Sequence, residues 1–398
     1  MTVDALGGRI TVDWSTEGVV VPAGLIAACV TGVVTVAGAE RLVEPGENLA
    51  DQIVAVIIGS KRTRFAPRPD AEGRALIRSR VAAAVAEGAP VPLVTMWGAI
   101  KHYVLDEDQE IDLAEVFAAL RLAQVVRDIE AVYPPGARLD VVIEDFGVWY
   151  EDAYGFSADV QASVHDGSHR YAQALTDLLR TVAGPAVRTH VFFDLVRTDY
   201  RMSIAQAERN RELLLAYWNA DGAEESEAYL ALRAAGWNGE IISETRAHYL
   251  RRLATLYPTE GTAQHVERIV RYLSMVLLYQ QVGLLRAVSP AGIRLAFYAP
   301  APGPAKERAV GRVHLRALPK DLCSAAVPPW TSKGCLVLDE DGSMRPRVES
   351  FRELSEAGYT YHRGFLRLRN GDAGVRVRMD VVRRDGGPGR PLMLKQYR

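Results

Sequence analysis

The sequence predicts an α/β protein with a largely parallel sheet, helices on both faces of that sheet, and a β-rich C-terminal segment. An apolar run of strand length occupies residues 90–96, and a second one follows a long helix, at 139–143. A strand, a helix and a further strand in this order form a βαβ unit, whose strands are parallel. After Pro300 the helical periodicity gives way to short apolar runs and two turn signals, Asp341-Gly342 and Asn370-Gly371, which are typical of hairpins.

The other elements follow from apolar periodicity in chain order. Residues 1–40 alternate weakly and predict short strands with a small helix. The further helices are predicted at 47–58, 74–87, 111–132, 160–180, 201–220, 244–256 and 262–287, and the further strands at 187–193, 293–297, 313–318 and 335–338. We divide the chain into an N-terminal β/α segment (1–45), a catalytic domain (46–304) and a β-rich C-terminal segment (305–398).

Composition excludes several classes of protein. Of the 398 residues, 48% are hydrophobic and 24% are charged, which excludes a disordered or fibrous chain. The three cysteines form no CxxC pair, and with no signal-peptide pattern we expect a cytoplasmic protein. The uncharged stretch 18–39 is long enough to span a membrane, but it contains Pro22 and lacks basic flanks. We therefore interpret it as buried strand or helix and expect no membrane association.

The charge is unevenly distributed. The net charge is −2, so the molecule as a whole does not attract polyanions. Residues 363–398, however, contain ten Lys or Arg against three Asp. This basic segment is either a solvated face of the β-rich region or a surface for phosphate or RNA.

Familiar cofactor motifs are absent from the sequence. It contains no GxGxxG after a strand, no P-loop, no GxSxG and no HExxH, so we predict no cofactor and no metal. His165 and His169 are spaced to share a metal ion on one helix face, but surface histidines are the simpler interpretation.

Two strand ends carry candidate catalytic groups, because ligands of parallel sheets bind beyond the carboxyl ends of the strands. The first loop, 97–103, offers Lys101 and His102; an exposed loop lysine is the alternative. The second, 144–152, begins with Glu144 and Asp145 beside aromatic residues. Crowded carboxylates raise each other's pKa and suit acid/base catalysis, although an acidic helix N-terminus is the alternative.

Other side chains are candidates for binding substrate. Arg294 is the one charge within the strand 293–297, where arginine usually pairs or clamps a ligand. Lys306 and Trp330 follow it in the chain, and a position at the rim of the pocket is the alternative for both. The full set of predicted substrate-binding residues is Arg62, Trp97, Arg294, Lys306 and Trp330.

The sequence resembles the pyoverdine/dityrosine biosynthesis family, whose members include isonitrile (isocyanide) synthases. The strongest similarity is over residues 89–152, and weaker similarity extends in patches over about 45–335. The residues that carry it are Pro90-Val91-Pro92-Leu93-Val94, Lys101, Ile111-Asp112-Leu113-Ala114-Glu115, Tyr133-Pro134-Pro135-Gly136-Ala137, Glu144-Asp145, Lys61-Arg62, Ile293-Arg294-Leu295-Ala296-Phe297, Lys306 and Pro329-Trp330.

The resemblance implies a Rossmann-like fold and a reaction without metal or redox cofactor. The family's synthases condense the α-amine of an amino acid with the ketone of ribulose 5-phosphate, and a sugar carbon becomes the isonitrile carbon. By this resemblance Lys101, Arg294 and Lys306 bind the anionic groups, and His102, Glu144 and Asp145 supply acid/base groups.

The chain departs from the family pattern at three positions of the expected site. Phe146 stands where the family has glycine in Ser-Asp-Gly, and Tyr298 and Thr331 stand near its usual histidines. An acyltransferase that uses an amino acid or an aminoacyl-tRNA is therefore the alternative function, and a non-catalytic binding protein is the third. The amino acid substrate and the oligomeric state are not predicted.

Overall fold

The computed structural model describes most of the chain. The described residues are 2–5, 8–27, 48–59, 64, 69–98, 101, 103–104, 110–144, 158–191, 202–219, 226–234, 250, 254, 259, 261–282, 284–297, 311–323, 328–350, 353–354, 358–383, 390–391 and 395–396.

A five-stranded parallel sheet forms the centre of the fold, as the βαβ pattern predicts. Its strand order is β6-β5-β3-β7-β8, and every neighbouring pair is parallel. The strands are β3 (Val91–Gly98), β5 (Ala137–Glu144), β6 (Val187–Val191), β7 (Ile293–Ala296) and β8 (Val313–His314). The strand β3 is longer than predicted: Trp97 pairs with Ile143 and Gly98 with Glu144, so Trp97 belongs to the sheet and not to the following loop.

Helices flank this sheet. They are α1 (Leu49–Ile58), α2 (Ala71–Ala86), α3 (Leu113–Val132), α4 (Ala158–Ala183), α5 (Met202–Asn219), α6 (Glu227–Ala234), α7 (Thr262–Val282) and α8 (Leu284–Val288). The sequence prediction missed α6, treated α7 and α8 as one helix, and made β8 too long. The helix predicted at 244–256 lies almost entirely outside the described residues.

The helix α3 is buried along most of its length, from Leu113 to Val126, because it packs against β5, α1 and α4 on one side and the C-terminal strand β9 (Ser332–Leu338) on another. Its start is fixed by a capping box, in which Asp112 caps the first turn and Glu115 accepts from the Asp112 backbone N–H. Both acids are consequently buried with the helix end.

The C-terminal region is rich in strands, as predicted, and forms two further sheets. One has the order β10-β9-β14-β11-β15 and the other β1-β2-β12-β13. The remaining strands are β1 (Thr2–Ala5), β2 (Gly8–Thr16), β4 (Tyr103–Val104), β10 (Met344–Ser350), β11 (Thr360–His362), β12 (Gly364–Asn370), β13 (Ala373–Arg378), β14 (Asp380–Arg383), β15 (Arg390–Pro391) and β16 (Lys395–Gln396).

The N-terminal strands belong structurally with the C-terminal ones. The strand β2 pairs antiparallel with β12 over six residues, from Thr11–Arg369 to Thr16–Gly364. The strand β16 likewise returns to pair with β4, just after Lys101. The domain division at residues 45 and 305 stays a prediction, but the segments on either side of the catalytic domain share one sheet.

Among the residues described, two apolar clusters involve the helices, and a third lies in the C-terminal region at β9, β11 and β14. The larger one joins the parallel sheet, α1–α4 and the inner faces of the C-terminal sheets. The smaller one lies between α5, α6 and α7 and includes Leu214, Trp218, Leu232 and Leu273. Within the stretch 18–27, Val21 and Ile26 are buried, but residues 18, 20 and 22–24 are exposed, so the prediction of a buried segment is wrong for most of these positions. Residues 28–39 lie outside the described residues. Among the helices described, none has the length and apolarity needed to cross a bilayer.

Gly334 in β9 permits the closest approach between the C-terminal sheet and α3. A Cβ atom at this position would lie 1.9 Å from the Ala114 nitrogen, and the Gly334 N–H donates to Asp112 Oδ1 at 3.0 Å. We predict that Gly334→Ala lowers the free energy of unfolding by about 2 kcal/mol or more, because backbone must move to relieve the clash. Urea unfolding measures the change.

Gly24→Ala is the matched control, since a Cβ there meets no atom within 4 Å. An equal and small effect of both substitutions would contradict the close packing of β9 on α3.

Candidate functional site

The topology of the parallel sheet identifies a site at the carboxyl ends of β3 and β7. The chain passes from β3 to β5 and β6 on one side, and then crosses to β7 and β8 on the other. The strand order therefore reverses between β3 and β7, and such switch points form ligand crevices in open α/β sheets.

Three aromatic residues lie at this end of the sheet. The ring centroids of Trp97 and Phe297 are 5.7 Å apart in an edge-to-face arrangement, and Trp330 lies 6.2 Å from Trp97. Gly98 admits the Trp330 indole, since a Cβ there would be 2.6 Å from its Cδ1. Trp97 is fully buried and Trp330 nearly so. These contacts fix the end of β3 against the segment 328–333.

Lys101, directly beyond β3, is buried with its ammonium group surrounded by oxygen atoms. Its Nζ lies 2.7 Å from Glu115 Oε1 and 3.3 Å from Asp112 Oδ2. The same group donates to the carbonyl oxygens of Pro329 and Ser332, at 2.8 Å each. The alternative interpretation, an exposed loop lysine, is therefore wrong. Lys101 connects β3, the start of α3 and the segment before β9.

Asp112 extends this arrangement into the C-terminal sheet. Its Oδ2 lies 3.4 Å from Lys333 Nζ, which is 2.7 Å from Asp380 Oδ2. Arg378 Nε donates to the same Asp380 oxygen at 2.8 Å. We call Lys101, Asp112, Glu115, Lys333 and Asp380 the buried charge cluster; all five are less than a tenth exposed.

Electrostatic effects within the buried charge cluster oppose one another. Burial raises the pKa of Glu115 to about 7, against the attraction of Lys101. Burial would also raise the pKa of Asp112, but Lys101 and Lys333 hold it below its ordinary value. The pKa of Lys333 lies above its ordinary value because Asp380 and Asp112 outweigh burial. Burial and the neighbouring Glu115 raise the pKa of Tyr171, whose hydroxyl donates to Glu115 Oε1 at 2.8 Å.

A histidine–aspartate pair lies on β5 and β6. Asp140 Oδ1 is 3.0 Å from His190 Nε2, and Asp140 is buried while the His190 side chain is 26% exposed. Burial alone would raise the pKa of Asp140, but the hydrogen bond with His190 and the charge of Arg138 hold it below its ordinary value. The contact with Asp140 fixes the orientation of the His190 ring. Sequence reasoning did not select this pair, although Asp140 is the residue that interrupts an apolar strand.

The structure brings together some of the sequence-predicted site residues. Lys101, Trp97 and Trp330 meet at the switch point, and Arg294 lies half-buried on β7, in register with Val94 of β3. Glu144 ends β5 beside Gly98. The residues Arg62, His102, Asp145, Phe146, Tyr298 and Lys306 lie outside the described residues. The Thr331 hydroxyl donates to the Pro328 carbonyl.

Other members of the buried charge cluster were not selected as site residues. Asp112 and Glu115 were quoted only for the family resemblance, although their spacing is the capping-box signature. The cluster members Lys333 and Asp380, and the neighbouring Arg378, were not predicted as site residues, because a charged residue in a β-rich segment is usually solvated. The two described cysteines, Cys323 and Cys335, are buried, and burial raises the pKa of each thiol.

Comparisons with known proteins give a distant structural likeness. No family model matches the chain, and no curated protein matches it. Among solved structures, the chain is similar to the PvcA protein from Pseudomonas aeruginosa, with a TM-score of 0.48 and 18% sequence identity. The match covers 83% of this chain and 99% of that one.

Lys101 neutralises two buried carboxylates, so its removal leaves them without their nearest cation. We predict that Lys101→Met lowers the free energy of unfolding by about 3–5 kcal/mol, and that adding Glu115→Gln restores part of the loss. Denaturant unfolding of the single and double variants measures both effects.

Arg78→Met is the control, because it removes an ion pair with Asp51 whose side chains are 51% and 35% exposed. Exposed pairs contribute at most about 1 kcal/mol. A loss in Lys101→Met no larger than in this control would contradict the structural role of Lys101.

The raised pKa of Glu115 predicts a pH dependence of stability. The folded protein binds the Glu115 proton more tightly than the unfolded chain does. The resulting contribution to the free energy of unfolding is fully present below about pH 4.5 and is lost as the pH rises to about 7. The difference in unfolding free energy between wild type and Glu115→Gln should therefore fall across this window. Urea unfolding at a series of pH values measures it, and parallel curves for the two proteins would refute the assignment.

Proposed function

We propose that the protein is an enzyme of natural-product biosynthesis, similar to isonitrile synthases, which condenses the α-amine of an amino acid with ribulose 5-phosphate. The observation that supports this is the convergence of the sequence segments that resemble the family. Lys101 lies 228 residues before Pro329 in the chain, yet Lys101, the Asp112–Glu115 helix start and the Pro329-Trp330 segment meet around one buried ammonium group.

The proposed reaction needs cationic groups for the substrate phosphate and carboxylate. Arg294 is the described side chain best suited to this task, because it lies half-buried on β7, one of the two strands between which the strand order reverses. Lys306 and Arg62 are proposed from the sequence resemblance. Lys101 already contacts two carboxylates and two carbonyl oxygens, so we assign it a positioning role: it holds Trp330 and the end of β3 in place.

Imine formation and elimination also need groups that move protons. Glu144, Asp145 and His102 remain the groups proposed from the sequence. To these we add His190, whose imidazole is oriented by the buried Asp140 and lies one residue before the end of β6. A carboxylate that orients an imidazole is a common arrangement for proton transfer.

The aromatic residues at the switch point give the site an apolar wall. Trp97 and Trp330 are buried against each other and Phe297. Their role in binding substrate is a proposal, and an amino acid with an aromatic or planar side chain would suit it.

The reaction can be tested directly by mass spectrometry. Purified protein is incubated with the proteinogenic amino acids and ribulose 5-phosphate. We expect one amino acid to gain a carbon and lose two hydrogens, because NH2 becomes NC. The product identifies the amino acid, and phosphate release reports the fate of the sugar. A correctly folded protein that yields neither would contradict the proposal, and aminoacyl-tRNA would be the next substrate to test for the alternative acyltransferase function.

We predict that Arg294→Gln lowers kcat/KM for this reaction at least about tenfold, mainly through KM, since a charge-assisted hydrogen bond contributes about 1.5–3 kcal/mol. Arg188→Gln is the matched control. Arg188 is exposed on the edge strand β6. It lies in the same row of side chains as Arg294, because the register pairs Arg294 with Val94, Val94 with Asp140, and Asp140 with Arg188. Equal kinetics of the two variants would contradict a binding role for Arg294.

A further inference from the structure

The outer face of the sheet β1-β2-β12-β13 carries a group of arginines that the proposed reaction does not use. Residues of one face alternate along each strand. In β12 and β13 the apolar residues Leu366, Leu368, Val375 and Val377 are buried. The other face exposes Arg367, Arg369 and Arg376.

These arginines form a continuous surface across two strands. Arg367 and Arg376 are directly opposite each other in the register. Arg369 follows Arg367 on the same face of β12, and its Cγ would lie 3.4 Å from a Cβ at Gly374. On the other side of β12, the exposed Asp13 of β2 is paired in register with Arg367. Arg367 therefore faces Arg376 on one side and Asp13 on the other. Like charges placed opposite each other destabilise a sheet, so a bound anion would favour the Arg367–Arg376 pair.

An aromatic ring holds two guanidinium groups at one end of this surface. The Cζ atom of Arg376 lies 3.6 Å from the centroid of the Phe365 ring, and that of Arg363 lies 5.1 Å from it. At 3.6 Å the Arg376 guanidinium lies over the ring in a cation–π contact, which restricts its position. An exposed guanidinium group can stack on an unpaired base while its N–H groups donate to phosphate.

We propose that this face binds single-stranded RNA. The charges lie along an extended strand, which suits a chain of phosphates, and the stacked Arg376 offers a planar surface for a base. The unpaired end of a tRNA has this chemistry. The inference does not depend on the proposed reaction, because the arginines lie on the outer face of a sheet whose inner face packs on α4.

Fluorescence anisotropy with a labelled single-stranded RNA of about twelve nucleotides, a length within the site sizes of sheet-based binders, tests the proposal. The binding constant is measured as a function of salt for wild type and for the triple variant Arg367→Gln/Arg369→Gln/Arg376→Gln. We expect the triple variant to bind at least about tenfold more weakly. The slope of log K against log salt should also decrease by about two, since each lost single-strand contact contributes about 0.7.

The control variant Arg74→Gln/Arg209→Gln/Arg233→Gln removes the same charge from exposed helix positions. Arg233 is a close match for Arg376, because it lies 5.8 Å from the Tyr229 ring centroid. The control should retain wild-type binding. Equal weakening of both variants, an absence of binding at low salt, or tighter binding of duplex RNA or polyglutamate would overturn the proposal. Thermal unfolding of both variants confirms that they are folded.

Discussion

The burial of Asp112 beside two lysines is the constraint on which the rest of the structure depends. An ion in a low-dielectric interior is tolerated only when opposite charges and hydrogen bonds compensate its lost hydration. Asp112 obtains them from Lys101 and Lys333 and from the backbone N–H groups of Ala114 and Gly334. These partners lie beyond the end of β3, at the start of α3 and in β9. Asp112 therefore joins the parallel sheet, the helix α3 and the C-terminal sheet.

This constraint explains how the candidate site is assembled. Lys101 follows β3, and its bonds to the carbonyl oxygens of Pro329 and Ser332 hold the segment that carries Trp330. Trp330 then covers Gly98 at the switch point. The segment before β9 thereby packs on the carboxyl end of β3, beside the point where the strand order of the parallel sheet reverses. Buried ionic clusters of this kind are weak sources of stability but costly to break, which suits a positioning role.

The sequence predicted the parallel sheet because its strands and α3 have clear apolar periodicity, and it located Lys101 in the loop after one strand and Arg294 within another. It did not predict the buried charge cluster. The partners of Lys101 lie far away in the chain, and local pattern carries no information on which distant acid meets which lysine. Trp97 was assigned to a loop because strand ends have no sharp sequence signal. The His190–Asp140 pair was missed since the two residues are adjacent only through the register of β5 and β6.

Native-state hydrogen exchange of Asp112→Asn tests the central claim most directly. The substitution keeps the size of the side chain and removes its charge. If the buried charge cluster joins α3 to the C-terminal sheet, the amides at the start of α3 and those of β9 should lose protection together. The amides of the separate α5–α7 cluster should keep their protection. Loss of protection confined to the first turn of α3, with β9 unchanged, would show that Asp112 is only a helix cap and would contradict the account.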